Sequence, residues 1–546
     1  MSPAATGSAS EEAASGSPRN SPQPSVSAWT RPLFPSLADV IFAALLLSLS
    51  FGVLPQRLLG DADTGWHIRD GQNIVNTRTI PRTDDFSSTM RGQRWYAWEW
   101  LYDAVLGLVY NSADLNGVVF LSAFLIALTF TLLFRLQLAG GTNLPVAIFF
   151  LLLSVSASTI HFLARPHLVT WLFTLLWFQI LDSTETSNSA NLPRTVYWLP
   201  ILMVFWVNLH GGLIMGFILL GIYLLAAVVE ALASSDLPTR TRAGNRARRL
   251  AVISVLCLCA SLVNPYGYKL HAHVYGYLSN RFLMNHIEEF QSPNFHDLAP
   301  RCFVVLLLLA FFTLGVSSRR ARLSHLLLIL FAISSALYAA RNVPIASMLV
   351  TLTIAPLLSA WISDSADRAE LSVRLRTMAS RLRSFSDRMA GMESRQRAHL
   401  WPALVVLFSL GVCQHQGRLG DRPLMNAQFD GKRFPVAATD LLRARHIQEP
   451  IFSLDSWGGY VIYRLYPQTR VVVDDRHDLY GEQFLKKYLK VIHVEPDWEK
   501  VLDDWKVNWV LLPANSALST TLKQTSNWKI VHDDGVGIVF QREGVR

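Results

Sequence analysis

Gly60-Asp61-Ala62-Asp63-Thr64-Gly65-Trp66-His67 follows the chain's first apolar run, Leu37 to Leu54, and sets two carboxylates where a hydrocarbon helix meets water. Acids at a membrane edge persist when they pair, bind a cation or move protons, because an isolated charge there is costly. Asp61 and Asp63 stand two residues apart between Gly60 and Gly65, which predicts an irregular turn with both carboxylates facing one pocket. The bland alternative is a structural ion-pair cluster with Arg57 or Arg69.

Composition supports a membrane setting. Of 546 residues, 51% are hydrophobic and 16% charged, with 29 Phe and 16 Trp to supply interfacial belts. The net charge of +9 does not point to nucleic acid, because the arginines gather in short loops between apolar runs, the pattern that fixes the orientation of a polytopic protein. Cys257, Cys259, Cys302 and Cys413 lie in or beside apolar segments, with no spacing of a zinc site or disulfide framework.

Three regions follow. Residues 1–34 are rich in Ala, Ser, Pro and Gly and read as a disordered cytoplasmic tail. Residues 35–416 carry eleven apolar stretches at or near the ~20 residues a bilayer requires: 37–54, 115–137, 145–162, 167–181, 196–210, 212–232, 250–263, 302–316, 323–340, 343–362 and 400–415. With eleven crossings, the arginine-rich loops at Arg240 to Arg249, Arg319 to Arg322 and Arg368 to Arg397 share one side, the cytoplasm. The first external loop, 55–114, carries arginines of its own, balanced by Asp61, Asp63, Asp70, Asp84 and Asp85. Its Trp66, Ile68, Ile74 and Val75 alternate with polar residues, predicting an amphipathic helix in the interface. Residues 363–399 place Leu371, Leu375, Met378, Leu382, Phe385, Met389 and Met392 at helical spacing against arginines, a cytoplasmic amphipathic helix lying on membrane lipids. Residues 417–546 hold every lysine except Lys269. Strand-like runs at 451–454, 470–473, 509–512, 529–532 and 537–540 alternate with helical ones, predicting a small soluble external α/β domain.

This orientation brings unusual polar residues to the external ends of spans: Asp61, Asp63 and His67; His161, Arg165 and His167; Asn208 and His210; Asn264 and Tyr266; Arg341 and Asn342. Their convergence predicts one polar cavity opening outward. Trp95, Trp98 and Trp100 around Glu99 offer faces that stack on sugar rings or anchor in the headgroup belt. Asp455-Ser-Trp457-Gly-Gly-Tyr and Val473-Asp-Asp-Arg-His-Asp lie just past strand ends, where α/β folds place ligand groups.

In order along residues 37–542, the motifs Asp61-Ala-Asp-Thr-Gly-Trp-His, Trp98-Glu-Trp-Leu, Arg165-Pro-His, Asn208-Leu-His-Gly-Gly, Asn264-Pro-Tyr-Gly, Glu289-Phe-Gln-Ser-Pro and Arg341-Asn-Val-Pro resemble the GT-C superfamily of integral membrane glycosyltransferases. The likeness is to a poorly characterised bacterial branch, distantly similar to protein O-mannosyltransferases and the oligosaccharyltransferase catalytic subunit. It implies a polytopic α-helical fold and transfer of a sugar from a polyprenyl-phosphate-linked donor to a glycan, lipid or protein acceptor, outside the bacterial inner membrane. Asp61 matches the first-loop acid and is the expected base, with Asp63 assisting; both are candidate ligands of a divalent metal, Mn²⁺ or Mg²⁺. His67, Arg165, His167, His210, Asn264, Tyr266, Arg341, Asn342 and Trp457 are the expected substrate contacts, an Arg fork being suited to phosphate. The competing reading is a non-enzymatic transporter or flippase of lipid-linked glycans, or a decayed family member. A transporter is expected to carry internal repeats, and none is visible in the sequence.

Single cysteines at Ser21, Ser384 and Ser516 in a Cys-free background test the topology. Only the third should react with an impermeant reagent when the outer envelope alone is permeabilised; protection of Ser516 overturns the span count.

Overall fold

The computed structural model describes residues 34–186, 193–317, 319–368, 371–395 and 400–544. The expected tail, Phe34 apart, and Arg397 lie outside them. Each apolar stretch read from the sequence falls on a helix: Leu37–Ser50, Trp100–Ala139, Leu144–Ser158, His167–Thr186, Trp198–Leu209, Ile214–Ala233, Leu237–Ser261, Leu298–Val316, Leu323–Tyr338, Val343–Ser365 and Leu400–Gln414. Among the described residues, Trp100–Ala139, Leu144–His161, Gly211–Ala233, Leu298–Val316 and Ala340–Ser365 are long and apolar enough to cross a bilayer. Val343–Ser365 is apolar and buried around most of its circumference, as befits a helix enclosed by others. The helices 144–158, 298–316 and 323–338 pack on it.

Local sequence sets several boundaries. Ser36 opens the first helix with a reciprocal cap, its Oγ accepting from Asp39 N at 3.2 Å while the Asp39 carboxylate accepts from Ser36 N at 2.9 Å. Trp100–Ala139 spans 40 residues, or ~60 Å at 1.5 Å per residue, twice the hydrocarbon thickness. The helix breaks at Ala113 and Asp114, where Asp114 takes a φ of 49°. Residues before the break therefore form an arm of the loop region 55–114, and those after it an apolar segment long enough to cross the membrane. The amphipathic helix expected at 363–399 is Val373–Arg395, because the preceding span runs on to Ser365.

The helix Asp63–Thr77 was expected to lie in the interface; it is instead sandwiched between the Trp100 arm and the helix Asp455–Leu465. Glycines permit both contacts. A Cβ on Gly71 would sit 1.8 Å from the Asp103 carbonyl oxygen, and one on Gly65 2.4 Å from that of Gly459. Alternation of apolar and polar residues cannot reveal such a helix, since its contacts are made by backbone.

The terminal region has a four-stranded sheet in the order Ile451–Ser453, Trp509–Pro513, Gly537–Arg542, Trp528–Asp533, the first pair parallel and the others antiparallel. The run 470–473, expected as a strand, makes only single bridges: Val471 pairs in parallel with Ile451 and with Ser87 of the loop region 55–114. Val471 N donates to Phe86 O at 3.2 Å, and Ser88 N donates back to Val471 O at 2.8 Å. The loop thus continues the sheet edge, covering backbone groups that would otherwise lie open.

Gly71→Ala should lower the thermal midpoint in detergent, since overpacking of this kind costs about 1–3 kcal/mol. Gly221→Ala, at a helical position with nothing within 4 Å of the added carbon, should be neutral or slightly stabilising; equal effects would remove the close crossing as the explanation.

Candidate functional site

A cavity of ≈ 570 Å³ opens between one set of ends of the apolar helices, the loop region 55–114 and the terminal region. Asp61 sits on the turn as expected, whereas Asp63 is already the first residue of its helix, where the helix dipole favours a negative charge. Neither acid pairs with Arg57 or Arg69. Arg165, from the loop before His167–Thr186, forks across them: Nη1 lies 2.8 Å from Asp61 Oδ2 and Nη2 2.8 Å from Asp63 Oδ2. Arg69 donates to the Tyr463 carbonyl at 2.9 Å, tying its helix to the terminal region. Glu289 extends the chain of charge, 3.9 Å from Arg165 and 3.1 Å from Arg341.

Beneath the acids runs a second polar chain. His67 Nδ1 lies 2.6 Å from Asp103 Oδ1, and Nε2 lies 3.8 Å from Glu99 Oε2. Glu99 Oε1 is 3.5 Å from His210 Nε2. Trp206 Nε1 donates to Thr170 Oγ1 at 2.9 Å, and Gly212 N donates to His210 Nδ1 at 3.1 Å. Thr170 Oγ1, 2.7 Å from the same Nδ1, is then the donor to it, which assigns the His210 proton to Nε2, facing Glu99.

The terminal region closes the cavity. Asp455 and Ser456 head the helix Asp455–Leu465, and Asp475, Arg476, His477 and Asp478 begin the next. His477 Nε2 is 3.1 Å from Asp455 Oδ2, and Tyr488 donates to Asp455 Oδ1 at 3.0 Å. Arg476 is buried. It donates to both Asp474 oxygens at 2.8 and 2.7 Å, lies 2.8 Å from Asp84 of the loop region 55–114, and rests 4.7 Å from the Trp95 ring centroid. Asp61, Asp63 and Asp475 present carboxylate oxygens within 4.8 Å of one another, as do Asp455, Asp475 and His477 with one ligand atom each.

Of the residues expected at the site, Asp61, Asp63, Arg165, His210 and Arg341 line this cavity, together with His161. The others are engaged elsewhere. His67 is fully buried behind the acids. His167 donates from Nε2 to the His161 carbonyl at 2.8 Å. Asn264 closes its own turn, accepting from Tyr266 N at 2.8 Å, and Tyr266 OH accepts from Ala97 N at 2.9 Å, pinning the loop region 55–114. Asn342 donates to the Ser335 carbonyl at 3.1 Å, and Trp457 is packed in the core. Glu99, Glu289, Asp455, Asp475 and His477 were not assigned from sequence, although each falls in a motif singled out there. The charged run 474–478 directly after the buried Val471–Val473 was the available signal.

Burial dominates the electrostatics. It raises the Asp63 carboxyl against the pull of Arg165, with Asp61 adding to the rise. It raises Asp475 likewise, aided by Asp63 and Asp455. Burial alone would raise Glu289 too, but Arg341 and Arg165 hold it at about 2. Burial lifts Glu99 to about 8 despite Arg165, leaving a neutral acid able to donate a hydrogen bond at neutral pH.

Glu99 sets a pH window. Its folded value, about 8, lies above the ordinary 4.5, so its contribution to stability is complete below about 4.5 and lost as pH rises through 8. The thermal midpoint should fall across that window, and Glu99→Gln should flatten the fall; an unchanged slope would show that Glu99 is already ionised.

No family model matches the chain, and neither does any curated protein. Solved structures do. The oligosaccharyltransferase AglB from Archaeoglobus fulgidus, in complex with an inhibitory peptide and a dolichol-phosphate, superposes with a TM-score of 0.53 at 12% identity, over 93% of this chain and 74% of that chain. The oligosaccharyltransferase from the same organism, tethered with an acceptor peptide, gives 0.54 at 12% identity over 87% and 68%. ArnT from Cupriavidus metallidurans, bound to undecaprenyl phosphate, gives 0.47 at 14% over 92% and 97%. The apolar helices make this a multi-pass membrane protein, and the superposition shows that it shares the fold of the archaeal oligosaccharyltransferase.

Proposed function

We propose that the chain is a membrane glycosyltransferase that moves a sugar from a polyprenyl-phosphate-linked donor to a glycan, lipid or protein acceptor on the external face of the bacterial cytoplasmic membrane. The observation that carries this is the Arg165 fork on Asp61 and Asp63, continued through Glu289 to Arg341, on the wall of a cavity wide enough for a sugar phosphate. The structural likeness to an oligosaccharyltransferase holding a dolichol-phosphate supports the choice of donor.

The chemistry assigns roles to the residues present. The acceptor oxygen, or the nitrogen of an amide, attacks the anomeric carbon; the bond from that carbon to the phosphate oxygen breaks, and the electron pair leaves with the phosphate. Asp61, on the cavity wall, takes the acceptor proton. Arg165 and Arg341 are placed to stabilise charge growing on the leaving phosphate, which would compete with Glu289 for Arg341. Neutral Glu99 and the His210 Nε2–H offer donors to sugar hydroxyls, and Trp98 and Tyr277 supply flat lining faces.

A divalent metal fits Asp61 and Asp63. Asp63 is only 4% exposed, and its Oδ1 has no hydrogen-bond partner, so that oxygen is open to a cation. Bound there, Mn²⁺ or Mg²⁺ would supply Lewis-acid stabilisation of the phosphate oxygens.

Purified protein assayed with polyprenyl-phosphate sugars should release polyprenyl phosphate, and Asp61→Asn should cut that turnover by ~10²–10⁴-fold, the contribution of a positioned base, with the thermal midpoint little changed. Full turnover in Asp61→Asn would falsify the role of this acid. A transporter would instead move lipid-linked glycan between leaflets without consuming it.

A further inference from the structure

We infer that Asp475 of the terminal region is the third protein ligand of the divalent cation held by Asp61 and Asp63, so the metal centre is complete only when that region is docked on the first external loop. The inference rests on the metal reading above and names a ligand from a separate part of the chain.

Three observations converge. The nearest carboxylate oxygens of Asp61, Asp63 and Asp475 lie within 4.8 Å of one another, near enough to the ~4.2 Å across an octahedral ion with ligands at ~2.1 Å that small side-chain shifts would bring all three onto one ion. Asp63 Oδ1 is buried without a partner while Oδ2 takes Arg165, so one oxygen of the trio is left for a cation. Charge is also out of balance: nine carboxyl groups, Asp61, Asp63, Asp455, Asp475 and Glu289 among them, line the cavity against three arginines, Arg165, Arg341 and Arg476, and four histidines. Such an excess of carboxylates in a partly enclosed cavity is relieved by protons or a bound cation.

The backbone is built to bring these acids together. Gly458 and Gly459 sit between the two acid-bearing segments. A Cβ on Gly458 would lie 2.5 Å from the Val473 carbonyl oxygen, and one on Gly459 2.4 Å from that of Ala62. Only a pair of residues without side chains lets 62–63 and 473–475 approach from either side. Asp474 and Arg476 are turned into the buried pair with Asp84, which fixes the register that presents Asp475 to the cavity. The neighbouring group Asp455, Asp475 and His477 has less need of an ion, since Asp455 already bonds His477 and Tyr488.

The test uses the full chain in detergent, stripped with EDTA and titrated with Mn²⁺, reading free Mn²⁺ by electron paramagnetic resonance and the thermal midpoint in parallel. Wild type should bind the ion and gain in midpoint. Outer-shell changes at metal sites cost roughly 10–100-fold in affinity, so losing a direct ligand in Asp475→Asn should weaken Mn²⁺ binding by at least about tenfold. Asp475→Glu should retain most of the affinity. The metal-free midpoint of Asp475→Asn should equal or exceed that of wild type, because one charge has left a crowded carboxylate cluster; a midpoint several degrees lower would mean that Asp475 holds the fold instead, and overturns the inference. If Asp61→Asn loses binding while Asp475→Asn keeps wild-type affinity, the first-loop site stands and the third ligand is wrong. If His477→Gln or Asp455→Asn loses binding and Asp61→Asn does not, the ion belongs to the neighbouring group. Absence of Mn²⁺ binding in wild type overturns the metal reading and this inference together, without touching the role of Asp61 as base.

Discussion

The helix Asp63–Thr77 is held on two sides by backbone contacts that tolerate no side chain, at Gly71 against Asp103 and at Gly65 against Gly459. Because these contacts are backbone on backbone, they fix distance and rotation more tightly than interdigitated side chains, which shift among rotamers. Rotation matters here. One turn of the same helix carries Asp63 toward the cavity and His67 toward Asp103, and a small roll would separate the acid from Arg165.

Docking of the terminal region is enforced by a different force. Arg476, buried between Asp474 and Asp84 and packed on aromatic rings, ties the two parts of the chain. Losing one partner of such a pair costs about 3–5 kcal/mol, because the remaining charge is stranded. The pair is therefore a demanding lock: it closes only in one register. Bridges from Val471 to Ser87 and Ile451 reinforce that register through the backbone.

The cavity combines groups of opposed electrostatic character. Glu289 is kept ionised by two arginines while Glu99, near the floor, is kept neutral by burial. Two carboxyls of the same chemistry thus present an acceptor and a donor at one pH, a separation produced by surroundings rather than by residue type.

Hydrophobic runs such as Val343–Ser365 and Leu298–Val316 were legible in the sequence because a lipid-facing or enclosed helix needs nothing beyond ~20 apolar residues to declare itself. The terminal strands at 451, 509, 528 and 537 were legible for the similar reason that short β-branched runs between turns have few other uses. The acids Asp61 and Asp63 and the cations Arg165 and Arg341 could be proposed as neighbours, since each flanks an apolar run and the orientation expected from the arginine-rich loops sets those ends together. What only the tertiary structure decided was pairing. Arg165 rather than Arg57 or Arg69 meets the acids, Trp457 turns into the core while Asp455 and Asp475 turn to the cavity, and His67 is sealed behind Glu99. The reason is range. Hydrophobic periodicity is a property of neighbours along the chain, whereas these contacts join residues up to several hundred positions apart, and they depend on glycine-lined approaches whose function appears only when two distant backbones are brought together.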